Sequence, residues 1–378
     1  MPKNCSTKTK TADTITAAKI RYQMLSSLSY GDAIGNVVLA LKEAIQKLGY
    51  ETEVYAEEID TRLPAGAAKR IQYMPELHKD DVVINHLSNG TSWNRRFGDF
   101  CCRKVIYYHN ITPPRFFSDF SVELQLNCHK GLKDAEYLAD KVDYCLAVSE
   151  FNKQDLRRMG YRQRIDILPI LVPYKDYDKA PSQEILDKYG DGRTNILFTG
   201  RISPNKKQED IIKAFFYYKN YMDQDARLFL VGKYTGMEEY YEQLKRYAEA
   251  LELKDVYFTG HIKFDEILAY YRVADVFACM SEHEGFCVPL VEAMYFGVPI
   301  VAYDSSAIAD TLGNGGILTE DKDPKLVAEI INRLVQDETL RKEIISRQKE
   351  QLKRFEYDKV TSLFSGYLEK FLEEHNEG

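Results

Sequence analysis

Short apolar runs alternate along this chain with longer stretches in which apolar positions recur every three or four residues. Runs of the first kind read as strands buried on both faces, and the longer stretches as helices packed along one side. In the first half the strands fall at 20–25, 52–55, 82–86, 105–109 and 144–148. Between the first two, Val37, Val38, Leu41, Ile45 and Leu48 mark one face of a helix over 36–48 that stops at Gly49, a residue suited to the left-handed turn that ends helices. The second half restarts the pattern with strands at 196–199, 228–231, 256–259, 276–279 and 299–302, and helices over 208–218, 239–252 and 288–296. Strand–helix alternation of this kind implies parallel sheets with crossover helices. The break lies in 171–194, which holds Pro173, Pro181, Gly190 and Gly192 among many charges, with a short helix at 182–189. Two further helical stretches, 340–353 and 357–373, close the chain.

The expected architecture is α/β: two Rossmann-like, doubly wound domains facing each other across a cleft. Residues 1–18 read as a disordered tail, 19–180 as an N-terminal domain, 181–355 as a C-terminal domain and 356–378 as a separate last helix. Sheets of this kind bind ligands beyond the carboxyl ends of their strands.

Composition narrows the function. The chain has 378 residues, 44% of them hydrophobic, enough for two cores, and no apolar run reaches membrane-spanning length. The first residues are rich in Lys and Thr and lack the apolar core of a secretory signal. Seven cysteines, an odd number with no CxxC pair, point to a reducing, cytoplasmic compartment and away from disulfides or zinc. A net charge of −7 disfavours nucleic acid as a partner. Residues 1–180 carry 26 basic against 23 acidic side chains, and residues 181–378 carry 25 against 35. Two basic groups, Arg95, Arg96, Arg103, Lys104 and Arg115, and Lys153, Arg157, Arg158, Arg162 and Arg164, fit an anionic membrane face or a phosphate-bearing acceptor, and equally a solvated helix face.

The richest chemistry lies in Ser281-Glu282-His283-Glu284-Gly285-Phe286-Cys287-Val288-Pro289-Leu290-Val291-Glu292. Pro289 suits the first turn of a helix. The peptide N–H groups near Phe286, Cys287 and Val288 then form an anion site at a helix N-terminus. Carboxylates on either side of a phosphate need another partner, and vicinal hydroxyls supply one, because a carboxylate accepts up to four hydrogen bonds. A nucleotide sugar carries such hydroxyls at both ends. Strand 196–199 runs into Gly200-Arg201-Ile202-Ser203-Pro204-Asn205-Lys206-Lys207, which brings two cations to one strand end, where a departing diphosphate gathers charge. A glycine turn at Gly31-Asp32 follows the first strand, and His109 ends the fourth. Arg115, Phe116, Phe117 and Phe120 make an aromatic, basic loop, open to an acceptor or membrane or to core packing.

The 281–294 segment resembles the E-x7-E signature of retaining GT-B glycosyltransferases of family 4, the glycosyl transferases group 1. The resemblance implies that Glu284 contacts the transferred sugar, that Glu292 binds the nucleotide ribose, and that Gly285, Phe286, Cys287 and Val288 line the phosphate. The family usually has Gly at Cys287. The Gly200-Arg201 to Lys206 segment is similar to the family's diphosphate-binding motif, in which the position of Lys207 is commonly Gly. Gly31 and Asp32 match its first glycine loop, and His109 a histidine that contacts the donor sugar. Gly260, His261 and Ile262 match a stretch beside the base. The position of Asp310 is often Glu in the family. The family's last helix crosses back onto the first domain.

These residues imply a retaining, metal-independent hexosyltransferase that takes a nucleotide-diphosphate sugar and a glycan or lipid-linked hydroxyl acceptor, in cell-envelope or exopolysaccharide assembly. No cofactor is expected. The expected location is cytoplasmic or peripheral on the inner face of the membrane. The pairs Asp176/Asp178, Asp223/Asp225 and Asp321/Asp323 have the spacing of a metal clamp but no other ligand near them in sequence. A non-catalytic nucleotide-sugar-binding or scaffold subunit on the same fold is the alternative. A dinucleotide oxidoreductase lacks its glycine fingerprint.

Overall fold

The computed structural model describes residues 19–29 and 31–374, so the tail expected at 1–18 lies outside the described residues. Its strands form two sheets in which every pairing is parallel. The first holds β1 (Lys19–Leu28), β2 (Glu53–Ile59), β3 (Lys69–Arg70), β4 (Asp81–Leu87), β5 (Arg103–Tyr108), β6 (Tyr144–Ala147) and β7 (Ile165–Ile167). Their order is β3-β2-β1-β4-β5-β6-β7. The second holds β8 (Asn195–Thr199), β9 (Arg227–Val231), β10 (Val256–Gly260), β11 (Val276–Cys279), β12 (Ile300–Tyr303) and β13 (Ile317–Thr319), in the order β10-β9-β8-β11-β12-β13. Both are doubly wound, and the strand order reverses between β1 and β4 in one and between β8 and β11 in the other.

The apolar runs are continuous because both faces of each sheet are covered. All residues of β4, β8, β9 and β11 are buried. Side chains pointing to one face of the second sheet, such as Ile196, Leu228 and Leu230, join Phe215 and Ile331 in one core. Those pointing to the other face, Leu197, Phe229 and Phe277, join Leu290 and Met294. β3, β7 and β13 were not legible as strands, being only two or three residues long. β5 ends at Tyr108, so His109 follows the strand rather than closing it.

The chain divides into two compact units, one of residues 1–113, 126–172 and 355–378, the other of residues 114–125 and 173–354. The second unit thus takes two pieces that sequence alone assigned to 19–180. Residues 114–125 join it through buried Phe117 and through Phe120, whose ring meets Tyr240 at 5.1 Å. Residues 173–180 join it through buried Tyr177, stacked on Phe264 and tilted against Tyr295 and Phe296. The last helix, Tyr357–Glu373, belongs to the first unit. Its buried Val360, Phe364, Leu368, Phe371 and Leu372 recur at helical spacing, and Phe371 stacks on Tyr144 at 5.2 Å.

Much of the expected basic surface is engaged internally. Arg95 pairs with buried Asp134 at 2.9 Å, Arg158 with Asp155 at 2.8 Å and Arg164 with Asp166 at 2.6 Å. Arg103 lies 4.0 Å over the Phe371 ring. These contacts favour the structural reading of both groups over a membrane surface. Among the described residues, no helix is long and apolar enough to cross a membrane. Cys102, Cys128, Cys145, Cys279 and Cys287 are free.

Candidate active site

In the second unit, the loops after β8 and β11 leave neighbouring strands at the point where the strand order reverses. That position is where doubly wound sheets open a crevice for ligands. The backbones come unusually close here: a Cβ on Gly232, just past β9, would sit 1.9 Å from the carbonyl oxygen of Gly200, just past β8. Asn205 ties the two loops together. Its side-chain amide donates to the carbonyl of His283 at 3.0 Å, and its carbonyl accepts from the Glu282 N–H at 2.8 Å. Ser306 accepts from the Glu284 N–H at 2.8 Å, and Ser305 donates to the Ser281 carbonyl at 2.6 Å.

This scaffold brings Lys206 and Glu284 into a direct, hydrogen-bonded ion pair. Their side chains are 19% and 8% exposed. Burial alone would lower the lysine pKa, but the Glu284 carboxylate outweighs it and holds the ammonium above its ordinary range. Arg201, at the start of the same loop, is exposed. No ion-pair partner for its guanidinium occurs among the described residues. One cation is therefore fixed and one is available, both following the same strand end.

Glu292 lies in helix Val288–Tyr295. Tyr271 donates to one of its carboxyl oxygens at 2.7 Å and Tyr177 to the other at 3.0 Å. Burial raises its pKa despite these two donors. Tyr271 is itself held against Thr199, the last residue of β8, at 2.5 Å. Neither tyrosine was marked by the sequence, because nothing in their spacing distinguishes them from core tyrosines.

Two residues that depart from the family pattern sit in the left-handed region: Lys207 at φ 53° and Cys287 at φ 71°. Glycine adopts that conformation without strain, which accounts for its use there. The geometry also resolves the two adjacent lysines. Lys206 meets Glu284, whereas Lys207 turns to Glu209 at 3.3 Å and Glu282 at 3.8 Å. Cys287 precedes helix Val288–Tyr295 without a side-chain cap, so no cap side chain claims the first N–H groups of that helix. Its thiol is hydrogen-bonded with Cys279 and is buried, and both effects hold its pKa well above the ordinary value.

Cys279, Glu284 and Cys287 form the group with metal-binding potential among the described residues, their ligand atoms lying within 4.8 Å of one another. The Lys206 ammonium already occupies the Glu284 carboxylate and opposes a second cation there. The Asp-x-Asp pairs serve locally. Asp178 accepts from Tyr295 at 2.5 Å, Asp223 from the Asp225 N–H at 3.0 Å and Asp323 from the Lys325 N–H at 2.8 Å.

Other candidates lie at strand ends without joining the ion pair. Gly260, with φ 67°, closes β10, and exposed His261 and half-buried Ile262 follow it. Asp310 is in the short helix Ile308–Leu312. Phe116 approaches His283, ring centres 6.2 Å apart. In the first unit, Gly31 has φ 73° and Asp32 caps helix Ala33–Lys47, accepting from the Gly35 N–H at 3.4 Å. His109 follows β5 and is buried. One of its ring nitrogens contacts His86 at 2.9 Å, and His86 contacts the side-chain oxygen of Gln23 at 3.0 Å. Burial lowers the His86 pKa to about 3 and that of His109 well below its ordinary value, the latter with His86 adding to the effect.

Residues 182–351 match the family described as glycosyl transferases group 1. The chain carries a glycosyl transferases group 1 domain. O-antigen chain mannosyltransferase B of Escherichia coli is 24% identical over 270 residues, covering 69% of this chain and 68% of that protein. A GDP-mannose-dependent alpha-(1-6)-phosphatidylinositol monomannoside mannosyltransferase of Mycobacterium tuberculosis is 29% identical over 214 residues, 53% of this chain and 54% of its own length. The chain spans only 23% of the serotype-specific mannosyltransferase WbdA of E. coli, at 26% identity over 190 residues. Among solved structures, HepE of Anabaena in complex with UDP-glucose superposes with a TM-score of 0.73 at 18% identity, covering 93% of this chain and 100% of that one. Sucrose-phosphate synthase of Thermosynechococcus elongatus gives 0.72 at 16% identity, covering 93% and 99%. The fold is that of the GT-B glycosyltransferases.

Two outcomes follow for this group 1 domain and the unit that precedes it. Lys207→Gly removes a left-handed side chain at the expense of exposed ion pairs, and should raise stability by about 0.5–1 kcal/mol; a drop in the urea midpoint would contradict the strain. His86 and His109 are neutral when folded, with depressed pKa values. Their contribution is complete above about pH 6.5 and is lost as pH falls toward about 3, because the unfolded chain takes up the protons first. Urea midpoints measured across that range should decline toward acid, and His86→Gln should flatten the decline.

Proposed function

We propose that this protein is a retaining, metal-independent glycosyltransferase that moves a hexose from a nucleotide-diphosphate sugar to a hydroxyl acceptor. The observation that carries the proposal is the Lys206–Glu284 ion pair with exposed Arg201, which has no ion-pair partner among the described residues, on the same loop. Arg201 grips the diphosphate through paired N–H groups and Lys206 acts as a point charge. The uncapped N-terminus of helix Val288–Tyr295 adds its dipole and backbone donors through Gly285–Val288. Glu284 accepts from hydroxyls of the transferred sugar. Glu292, held by Tyr271 and Tyr177, accepts from the ribose. Gly200, His261 and Ile262 are assigned to the nucleotide side, Gly31 and Asp32 to donor binding, and His109 to a sugar contact. Names of similar proteins support the donor class: mannosyltransferases among the sequence relatives, one of them GDP-mannose-dependent, and a fold neighbour holding UDP-glucose. GDP-mannose is accordingly the first donor to test, and a glycan or lipid-linked hydroxyl in envelope or exopolysaccharide assembly is the acceptor class. The reaction is assigned to the cytoplasm, at or near the inner face of the membrane.

In the reaction, the bond between the anomeric carbon and the β-phosphate oxygen breaks, its electron pair leaving with the diphosphate. The acceptor oxygen forms its bond on the same face, and its proton passes to the departing phosphate oxygen. Arg201 and Lys206 offset the charge that develops on that group. In this reading Glu284 is not a nucleophile, because a retaining double displacement needs two carboxyls flanking the anomeric carbon about 5 Å apart and Glu292 is assigned to the far end of the donor.

Arg201 is the informative residue to change, because an exposed side chain with no ion pair among the described residues can be removed without disturbing the fold. Donor hydrolysis and transfer should be measured with GDP-mannose and UDP-glucose in excess EDTA. Wild type should turn over one of them, and Arg201→Ala should lower kcat/KM by about 100-fold with an unchanged melting temperature. Undiminished activity in Arg201→Ala would remove the diphosphate assignment. Loss of activity in EDTA would remove metal independence, and binding with no turnover at all would leave the non-catalytic subunit.

A further inference from the structure

Gln23, His86 and His109 lie on three adjacent positions across the first sheet: on β1, on β4 and just past β5. Their hydrogen bonds have one consistent set of directions, and each step fixes the next. The Gln23 Nε2 lies 3.2 Å from the Val38 carbonyl oxygen. A carbonyl oxygen only accepts, so the amide end of Gln23 faces Val38 and its Oε1 faces His86. Oε1 also only accepts. The His86 Nε2, 3.0 Å away, therefore carries the proton. His86 is fully buried with no ionised neighbour, and is neutral. Its Nδ1 is then a lone-pair acceptor, and the His109 Nε2 at 2.9 Å must donate to it. His109 is neutral as well. That leaves a bare lone pair on the His109 Nδ1.

The surroundings do not disturb this chain. Tyr107 packs against both rings, at 4.2 Å from His109 and 5.5 Å from His86. Its hydroxyl, however, donates away from them, to the carbonyls of Leu168 at 2.8 Å and Pro169 at 3.3 Å. The His109 backbone is pinned by its N–H to the Leu87 carbonyl at 2.9 Å. Among the described residues, the His109 Nδ1 is a buried polar atom with no hydrogen-bond partner, although His109 is 9% exposed. An unpaired buried acceptor is costly and calls for a partner.

We propose that Gln23 and His86 are positioning residues that hold His109 in its Nε2–H tautomer, so that its Nδ1 is built to accept a hydrogen bond from a neutral sugar hydroxyl. The inference rests on the reading of His109 as a sugar contact and adds the direction of that contact. An acceptor takes an O–H. It rejects a carboxylate or phosphate oxygen, which would face lone pair against lone pair. The substrate group opposite His109 is thus an uncharged hydroxyl, as on a neutral hexose, and not the acid of a uronate. A histidine without the relay is free to present N–H or N, and would not make this distinction.

The test is long-range 1H–15N correlation spectroscopy of the full chain labelled with 15N-histidine, with His86→Gln and His109→Gln assigning the signals. Near pH 7, the wild-type His109 Nδ1 should appear as an unprotonated nitrogen and its Nε2 as a protonated one, with the same pattern for His86. Should an assignment variant fail to fold, the buried pair is still recognised as the rings that stay neutral at about pH 5, below the ordinary histidine range. Gln23→Leu removes the anchoring acceptor and should populate the Nδ1–H tautomer of both rings. Gln23→Glu, protonated in this buried place, keeps one donor for Val38 and one acceptor for His86 and should retain the wild-type pattern. Addition of GDP-mannose or UDP-glucose should shift the His109 Nδ1 without protonating it. With whichever of the two is turned over, Gln23→Leu should lose about tenfold in kcat/KM. A wild-type His109 that carries its proton on Nδ1, or that is imidazolium near pH 7, overturns the relay. So do tautomers unmoved by Gln23→Leu. If the relay is present and neither donor shifts Nδ1, the sugar contact fails and the relay stands.

Discussion

The ion pair between Lys206 and Glu284 joins the loops that leave β8 and β11, and the donor site assigned to the second unit depends on it. Both side chains are largely withdrawn from water. A pair in that position adds little net stability, whereas losing one partner costs about 3–5 kcal/mol because the other charge is left buried. The pair therefore fixes geometry more than it stabilises the fold. It holds side by side a carboxylate, assigned above to sugar hydroxyls, and an ammonium, assigned to phosphate charge. The loops reach each other because parallel strand order reverses between β8 and β11, and Asn205, Ser305 and Ser306 lock them there.

Around this pair, each carboxylate is given a different neighbourhood. Glu284 faces the Lys206 ammonium. Glu292 faces two phenols, Tyr271 and Tyr177, and burial pushes its pKa upward. The tyrosines orient the carboxyl without neutralising it. A similar economy operates in the first unit, where Gln23 and His86 set the proton on His109 without any charge. Dipoles and lone pairs there do what ions do in the second unit.

The alternation of apolar runs and helical spacing was enough to place both sheets, since strands buried on both faces cannot be disguised by polar residues. It failed for β3, β7 and β13, which are too short to show a period. It also assigned residues 114–125 to the wrong unit, because their allegiance is decided by Phe117 and Phe120 packing at long range. Among the candidate site residues, Glu284, Glu292, Arg201 and Lys206 were singled out by their motifs, and the structure places Lys206 against Glu284. Which of Lys206 and Lys207 meets Glu284 was not legible, and the structure gives Lys206, while Lys207 turns to Glu209 and Glu282. Tyr177 and Tyr271, at 115 and 21 positions from Glu292, carry no local signal. Neither do Gln23 and His86, whose role exists only once β1, β4 and β5 lie side by side.

The central claim is that Arg201 and Lys206 hold a diphosphate beside Glu284. A crystal structure of the full chain with GDP or UDP, grown with EDTA and no divalent metal, tests it most directly. The account predicts the β-phosphate within hydrogen-bonding distance of Arg201 and Lys206 and over the N-terminus of helix Val288–Tyr295, with the ribose hydroxyls on Glu292. A nucleotide bound with its phosphates away from both cations, or with Glu292 still closed between Tyr177 and Tyr271 and no ribose contact, would contradict it.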